Sequence, residues 1–288
     1  MPELPEVEAL ALDLKGRLQD RAIVKIHIAA FSALKTFDPP LSALEGTLVD
    51  DVTRHGKFLD IHASGLHLCL HLARAGWIRW RDEVPTIPPK PSTKNPLAVR
   101  IVLDNDAGLD ITEAGTKKSL AMYVVRDPLD VPGIASLGPD PMVESFTIEV
   151  LGEILQREGR KQLKGVLRHQ GTIAGIGNAY SDEILHAARM SPYKPAGGLD
   201  DGELKTLYAA IRDTLGAAVE RSRGLHASEL KGEKKSNLAV HGRTGQACPV
   251  CGDIVREVSF ADSSLQYCPT CQTGGKPLAD RRMSKLLK

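Results

Sequence analysis

No apolar run in this 288-residue chain is long enough to cross a bilayer, so an integral membrane role is not expected. The opening "MPELPEVE" is acidic and lacks the basic n-region and apolar stretch of a secretory signal. A cytoplasmic location is therefore expected, at the nucleoid if the source is bacterial. Charge of one sign is also missing: the net is +1, which by itself argues neither for nor against a polyanionic partner. Cysteine is scarce, with Cys69 alone and four more gathered as Cys248, Cys251, Cys268 and Cys271. In a cytosolic chain, disulfides are the poor use for that cluster. Nor is there an internal repeat at the periods of solenoid proteins.

The composition that is present, 42% hydrophobic and 25% charged, is that of a soluble globular protein with a sizeable core. The length suits one large domain or two of ordinary size. The near-zero total hides an asymmetry. From Arg221 to the C-terminus, 12 Lys/Arg face 6 Asp/Glu, a net of +6, so the first 220 residues carry −5. Such a basic quarter suits a polyanion, or is a solvated face.

Along the chain, Val7, Leu10, Ala11, Leu14 and Leu18 recur at helical spacing. From about 22 to 125 the texture changes to short alternating or apolar runs between Gly, Asn/Asp and Pro breaks, as in an antiparallel β-sandwich or barrel. "VPTIPPKPSTKNP" reads as a loop and "GIASLGPDPM" as a linker. Helical patterns fill 145–223, and "RGLHASELKGEKKSNLAVHGRTGQ" reads as a mobile loop. His62, His67 and His71 read as sheet-face residues and Cys69 as a buried apolar one.

Three segments carry chemistry. "CPVC…CPTC" is C-x2-C, sixteen residues, C-x2-C. Four thiolates so spaced can close a tetrahedral Zn2+ site, each pair forming a knuckle at the end of a β-hairpin. With sulfur at all four positions the site is closed, hence structural: one Zn2+ ion is expected, and not as catalyst. "LKGVLRHQGTIAGIGNAYSDEIL" reads as helix, glycine-rich turn, then a second helix near Asn178. With Lys164 nearby this makes a phosphate-binding corner, or equally an ordinary αα-hairpin. In "RHGKFLDI", Lys57 lies at a turn into a strand, where a solvated strand-end lysine is the commoner reading.

Taken together, "PELPEVE", "R-x-GKFL", "HQ-x-x-IAGIGN-x-Y-x-DE", "V-x-GR-x-G-x-x-C" and the four-cysteine segment resemble the formamidopyrimidine-DNA glycosylase/endonuclease VIII family of base-excision repair. Their order and spacing agree over nearly the whole chain. The resemblance implies an α+β fold: an N-terminal antiparallel β-sandwich with a catalytic N-terminal helix, then a helical domain with a helix-two-turn-helix and a four-cysteine zinc-finger hairpin. The expected boundaries are 1–135 for the sandwich, 136–144 for a linker, 145–240 for the helical domain, and 241–288 for the finger with a basic tail.

The resemblance also gives the opening a chemical role. Loss of Met1 would leave Pro2 with a free secondary amine; an α-amino group has a pKa near 8, so part of it is unprotonated at neutral pH. The family uses that amine to attack the anomeric carbon of a damaged nucleotide, expelling the base and forming a Schiff base before β- and δ-elimination. Glu3 matches the family's general acid/base, Glu6 a supporting acidic position, and Lys57 the catalytic or phosphate-contacting lysine. Lys164, Asn178, Arg74 and Arg243 are the DNA-binding positions. The partner implied is damaged DNA, with the target nucleotide flipped out of the stack. A monomer without an obligate protein partner is expected. The rival reading is a catalytically weak DNA-damage-binding protein on the same scaffold.

Three positions depart from the family pattern. "HLARAG" puts Arg74 where the family has a methionine wedge. "TEAGTKKSL" has neither the arginine nor the phenylalanine of the loop that serves the orphaned base. Ser263 stands where the finger hairpin carries a phosphate-gripping arginine. A lesion preference other than 8-oxoguanine opposite cytosine is expected, among oxidised pyrimidines, hydantoins, abasic sites or lesions in unpaired DNA. Arg281 or Arg282 of the tail, or Arg74, would supply the missing cation.

Overall fold

Helix α1 (Leu4–Leu18) buries Leu4, Val7, Leu10, Ala11, Leu14 and Leu18, one stripe at three- and four-residue spacing. Each leucine so buried contributes about 1.5–3 kcal/mol, which fixes the helix to the sheets behind it. Lys15 and Arg17 occupy its last turn, where cations suit the dipole. The computed structural model describes residues 1–85, 89, 96–260 and 263–279. Arg281, Arg282 and most of the proline-rich loop lie outside the described residues.

The chain divides into two units, Met1–Ser136 with Arg221–Lys231, and Leu137–Glu220 with Gly232–Lys288. In the first, eight strands among the described residues form two four-stranded sheets. One orders β1 (Ile23–Ile28), β6 (Leu97–Leu103), β7 (Gly108–Glu113) and β5 (Gly76–Arg81). The other orders β2 (Val49–His55), β3 (Phe58–Ala63), β4 (Leu66–His71) and β8 (Ala121–Val125). Every pairing within them is antiparallel. Residues of both sheets and of α1 share a single core, among them Leu10, Leu14, Ile61, Leu70, Ile101 and Ile111. That shared core is what a β-sandwich requires. Cys69 is buried, as expected of a small apolar side chain. A short turn, α2 (Pro132–Ala135), closes the unit's first segment.

The second unit holds α3 (Ile148–Glu158), α4 (Leu163–Arg168), α5 (Asn178–Ala187) and most of α6 (Asp201–Ser222) and α7 (Leu230–Asn237), residues 221–222 and 230–231 of which belong to the first unit. Thr147 caps α3, accepting a hydrogen bond from the Val150 amide at 3.4 Å. Strands β9 (Arg256–Ser259) and β10 (Ser264–Tyr267) form the finger hairpin, followed by α8 (Pro269–Thr273). No helix among the described residues is long and apolar enough to cross a membrane.

The stretch read from sequence as a mobile loop is ordered. Ala227 and Leu230 are buried in the core of the first unit, and the Trp77 indole Nε1 donates to the Ala227 carbonyl at 2.8 Å. Two apolar residues in a lysine-rich segment are enough to anchor it, which composition alone conceals.

Candidate active site and nucleic-acid interface

Helix α1 starts with a capping box. Glu3 is the N-cap; its carboxylate accepts from the Glu6 amide, and the Glu3 amide donates to Glu6 Oε2 at 2.8 Å. Pro5 follows inside the first turn, where its missing N–H costs nothing. Pro2, Glu3 and Glu6 are all buried, while Met1 is half exposed. Two carboxylates therefore sit next to Pro2 at the positive end of the helix dipole.

Lys57 lies in the two-residue turn joining β2 and β3, where His55 pairs with Phe58. Gly56 has φ 55°, the left-handed geometry that a type II′ hairpin asks of its first central residue. The turn is fastened to α1: Arg54 donates to Glu8 Oε2 at 2.7 Å and to the Gly56 carbonyl at 3.1 Å. Lys57 is buried, 7% exposed, so it is not a solvated strand-end lysine. Nearby on β4, burial and the Lys57 charge hold the His71 imidazole below its usual pKa, so it stays neutral beside that ammonium. The structure thus brings Lys57 to α1 through the Glu8–Arg54 clamp. Arg54 stood inside the motif "R-x-GKFL", yet sequence reasoning gave it no task.

Arg74 is exposed on the turn between β4 and β5, closed by the Gly76 amide donating to the Leu72 carbonyl at 2.8 Å. Residues 114–119 form an exposed loop pinned by Glu113, whose Oε1 accepts from the amides of Ser119 at 2.7 Å and Leu120 at 3.0 Å. Lys118 donates to the Glu113 carbonyl.

In the second unit, Gln170 staples the turn between α4 and α5. It accepts from the Gly175 amide at 3.0 Å and donates to the carbonyls of Arg168 and Ile176 at 2.8 and 2.7 Å. Gly175 has φ 84°, which only glycine adopts without strain. Lys164 departs from the expectation that it offers its charge to a phosphate. It is 4% exposed, and its Nζ meets Asp182 Oδ1 at 2.5 Å, Ser181 Oγ at 2.9 Å and the Asn178 carbonyl at 3.1 Å. Buried charge needs a partner, and Asp182 is that partner. Lys164 braces the start of α5. Lys164→Met, which takes the ammonium from buried Asp182 Oδ1, is expected to cost roughly 3–5 kcal/mol in a denaturant melt.

Asn178 opens α5, and its Nδ2 donates to the Ser264 carbonyl of β10 at 2.8 Å. Asp182 and Glu183 extend that tie to the finger. Asp182 Oδ2 meets His241 Nδ1 at 2.8 Å and accepts from the Gln266 amide at 3.2 Å. The Glu183 carboxylate accepts from three successive amides, Ala239, Val240 and His241, at 2.6–3.0 Å. Burial nevertheless pushes the Glu183 carboxyl above its ordinary pKa. Arg243 is half-buried, donating to Gln246 Oε1 at 3.0 Å and the Leu238 carbonyl at 3.4 Å. Ser263 lies at the hairpin tip, its carbonyl accepting from the Phe260 amide at 2.7 Å.

The four cysteine sulfurs lie within 4.8 Å of one another. Zn–S bonds of about 2.3 Å in a tetrahedron demand S···S separations of about 3.8 Å. Cys248–Cys271 at 3.9 Å meets that demand, and Cys251–Cys268 at 3.3 Å lies about 0.5 Å inside it. His186 Nε2 stands 3.2 Å from Cys248 Sγ, a partner for a ligating sulfur that the sequence motif does not include. The residues suit one structural zinc.

Comparisons with known proteins agree with this geometry. Residues 1–119 match the formamidopyrimidine-DNA glycosylase N-terminal domain, 137–229 its H2TH domain, and 245–274 the zinc finger found in FPG and IleRS. A formamidopyrimidine-DNA glycosylase of Symbiobacterium thermophilum is 34% identical across 98% of this chain and 93% of its own. A formamidopyrimidine-DNA glycosylase-like protein of Mycobacterium tuberculosis is 58% identical over 157 residues, 54% of this chain and 98% of its own. The crystal structure of the Lactococcus lactis formamidopyrimidine-DNA glycosylase, non-covalently bound to DNA containing an AP site, superposes with a TM-score of 0.81 at 25% identity, covering 94% of this chain and 99% of that one. On the fold, the zinc ligands and a match that runs from end to end, the chain belongs to the formamidopyrimidine-DNA glycosylase family.

Proposed function

We propose that this DNA glycosylase of base-excision repair is bifunctional, a glycosylase and AP lyase whose nucleophile is the secondary amine of Pro2 after loss of Met1. The observation that supports this best is the capping box, which holds the Glu3 carboxylate beside Pro2 while Glu6 occupies the Glu3 amide. The amine attacks C1′ of the damaged nucleotide, and the base departs with the glycosidic electron pair and takes up a proton. Loss of a C2′ proton from the resulting Schiff base then expels the 3′ phosphate, and a second elimination expels the 5′ phosphate. Glu3 exchanges protons at the sugar, and the Lys57 ammonium, held to α1 through Arg54, serves the reaction or a flanking phosphate.

Arg74, Asn178 and Arg243 contact the DNA in this reading. Arg74 in the wedge position, the arginine-free loop 114–119 and Ser263 at the finger tip favour a lesion other than 8-oxoguanine opposite cytosine. The arginine–phosphate contact absent at Ser263 is worth about 1.5–3 kcal/mol of binding, while the altered wedge and orphan-base loop bear on the choice of substrate.

Incubation with abasic-site DNA and borohydride tests the proposal. A covalent adduct is expected, strongly reduced by Pro2→Gly. No adduct under any condition would instead make the chain a damage-binding protein on this scaffold. A lesion panel with varied opposite bases then identifies the substrate.

A further inference from the structure

The first unit contains a cavity of ≈ 770 Å3 beside the C-terminal half of α1, lined in part by Arg17, Trp77, Arg79, Trp80, His226 and Lys231. It is not the reacting centre. Arg17 stands fourteen residues beyond Glu3 on one helix, about 21 Å at 1.5 Å per residue.

The cavity's charges are unevenly matched. Arg17 is spoken for: Asp13 Oδ1 accepts from its Nε at 2.9 Å, His226 Nδ1 lies 2.7 Å from its Nη2, and its guanidinium lies 5.0 Å from the Trp80 ring centroid. Asp82, also on the wall, accepts from Trp80 Nε1 at 2.9 Å. Lys231 and Arg79 have no such match, and among the described residues neither has an ion-pair partner. The Lys231 ammonium is held 4.4 Å from the Trp77 ring centroid, where burial and the nearby Arg79 charge both disfavour its protonated form. Both are exposed, so solvent screens their repulsion; but the wall's two carboxylates, Asp13 and Asp82, bond Arg17 and Trp80 instead, and an anion lying between Arg79 and Lys231 would be held by both. The volume is that of a small-molecule site, far more than an inorganic ion fills, and the indoles supply apolar wall.

We propose that this cavity is a second ligand site, separate from Pro2, which takes the phosphate group of an organic phosphate ester of nucleotide size between Arg79 and Lys231. That chemistry is offered both by a free nucleotide and by a phosphodiester of the DNA strand. The chain's two tryptophans both line the cavity, so intrinsic tryptophan fluorescence reports on it directly. The protein is titrated with dTMP, thymidine, inorganic phosphate and a short thymidine oligonucleotide. Saturable quenching by dTMP or the oligonucleotide is expected, at least tenfold tighter than by thymidine or inorganic phosphate. Arg79→Ser and Lys231→Gln should each weaken it tenfold or more, and Arg79→Lys should largely restore it.

Quenching by dTMP assigns the site to a free nucleotide, and quenching by the oligonucleotide alone assigns it to the DNA strand. The proposal is overturned if neither quenches, if thymidine or phosphate binds as tightly, or if Arg79→Ser and Lys231→Gln leave the titration unchanged. Because Arg79 is exposed, its serine variant does not disturb the core. Repeating the titration in a Pro2→Gly background separates failure here from failure of the lyase reading.

Discussion

Glu3→Gln is expected to slow base excision by about 10²–10⁴-fold while leaving the thermal melt nearly unchanged. Glutamine keeps the carbonyl oxygen that accepts from the Glu6 amide, so the cap survives, but it neither gives nor takes a proton at the sugar. Glu3→Ala removes both functions and should add a loss of about 0.5–2 kcal/mol from the cap. The pair separates chemistry from architecture. Should Glu3→Gln excise bases at the parental rate, Glu3 is only a helix cap and proton transfer lies elsewhere. Glu6→Gln is the internal control, since it keeps an acceptor for the Glu3 amide while removing one charge beside Pro2.

Stripping zinc is expected to have the largest structural effect. The apolar cluster around the cysteines is small, Val240, Val255 and the cysteines themselves. A core of that size does not hold a hairpin in place, whereas structural zinc in finger peptides contributes about 10–16 kcal/mol near neutral pH. Zinc holds its cysteine ligands as thiolates, so binding displaces protons and acid should aid the chelator. Chelation or Cys268→Ser should weaken DNA binding tenfold or more and flatten its salt slope. The melt followed by Trp77 and Trp80 should persist, because both lie in the first unit. If that tryptophan transition collapses with the metal, the two units do not melt independently and the account of the finger is wrong.

Much of the fold was legible in the sequence because its periodicities are clean. The stripe Val7–Leu10–Leu14–Leu18 and the alternating strands carry burial patterns that no tertiary contact had to override. The zinc site was legible because two C-x2-C pairs at that spacing have few uses besides closing a tetrahedral metal site. What stayed hidden depends on partners distant in sequence. Lys164 reads as a surface cation until Asp182 is placed against it, and Glu183 reads as a helix-face acid until the amides of 239–241 close on it. Arg54 and Glu8 lie 46 residues apart, and no local pattern links them. The stretch 223–246 misled for the opposite reason, since its glycine and lysine content outweighed Ala227 and Leu230, which anchor it.

That segment has a consequence for how the protein is made. The chain leaves the first unit after Ser136, builds helices of the second, and returns with Arg221–Lys231. While the ribosome is still translating the intervening helices, the sandwich lacks Ala227 and Leu230, and the Trp77 indole lacks its carbonyl acceptor. A nascent chain released at residue 136 would therefore carry Pro2, Glu3 and Lys57 on an unfinished core. The unit bearing Pro2 is completed only when most of the other has already been synthesised.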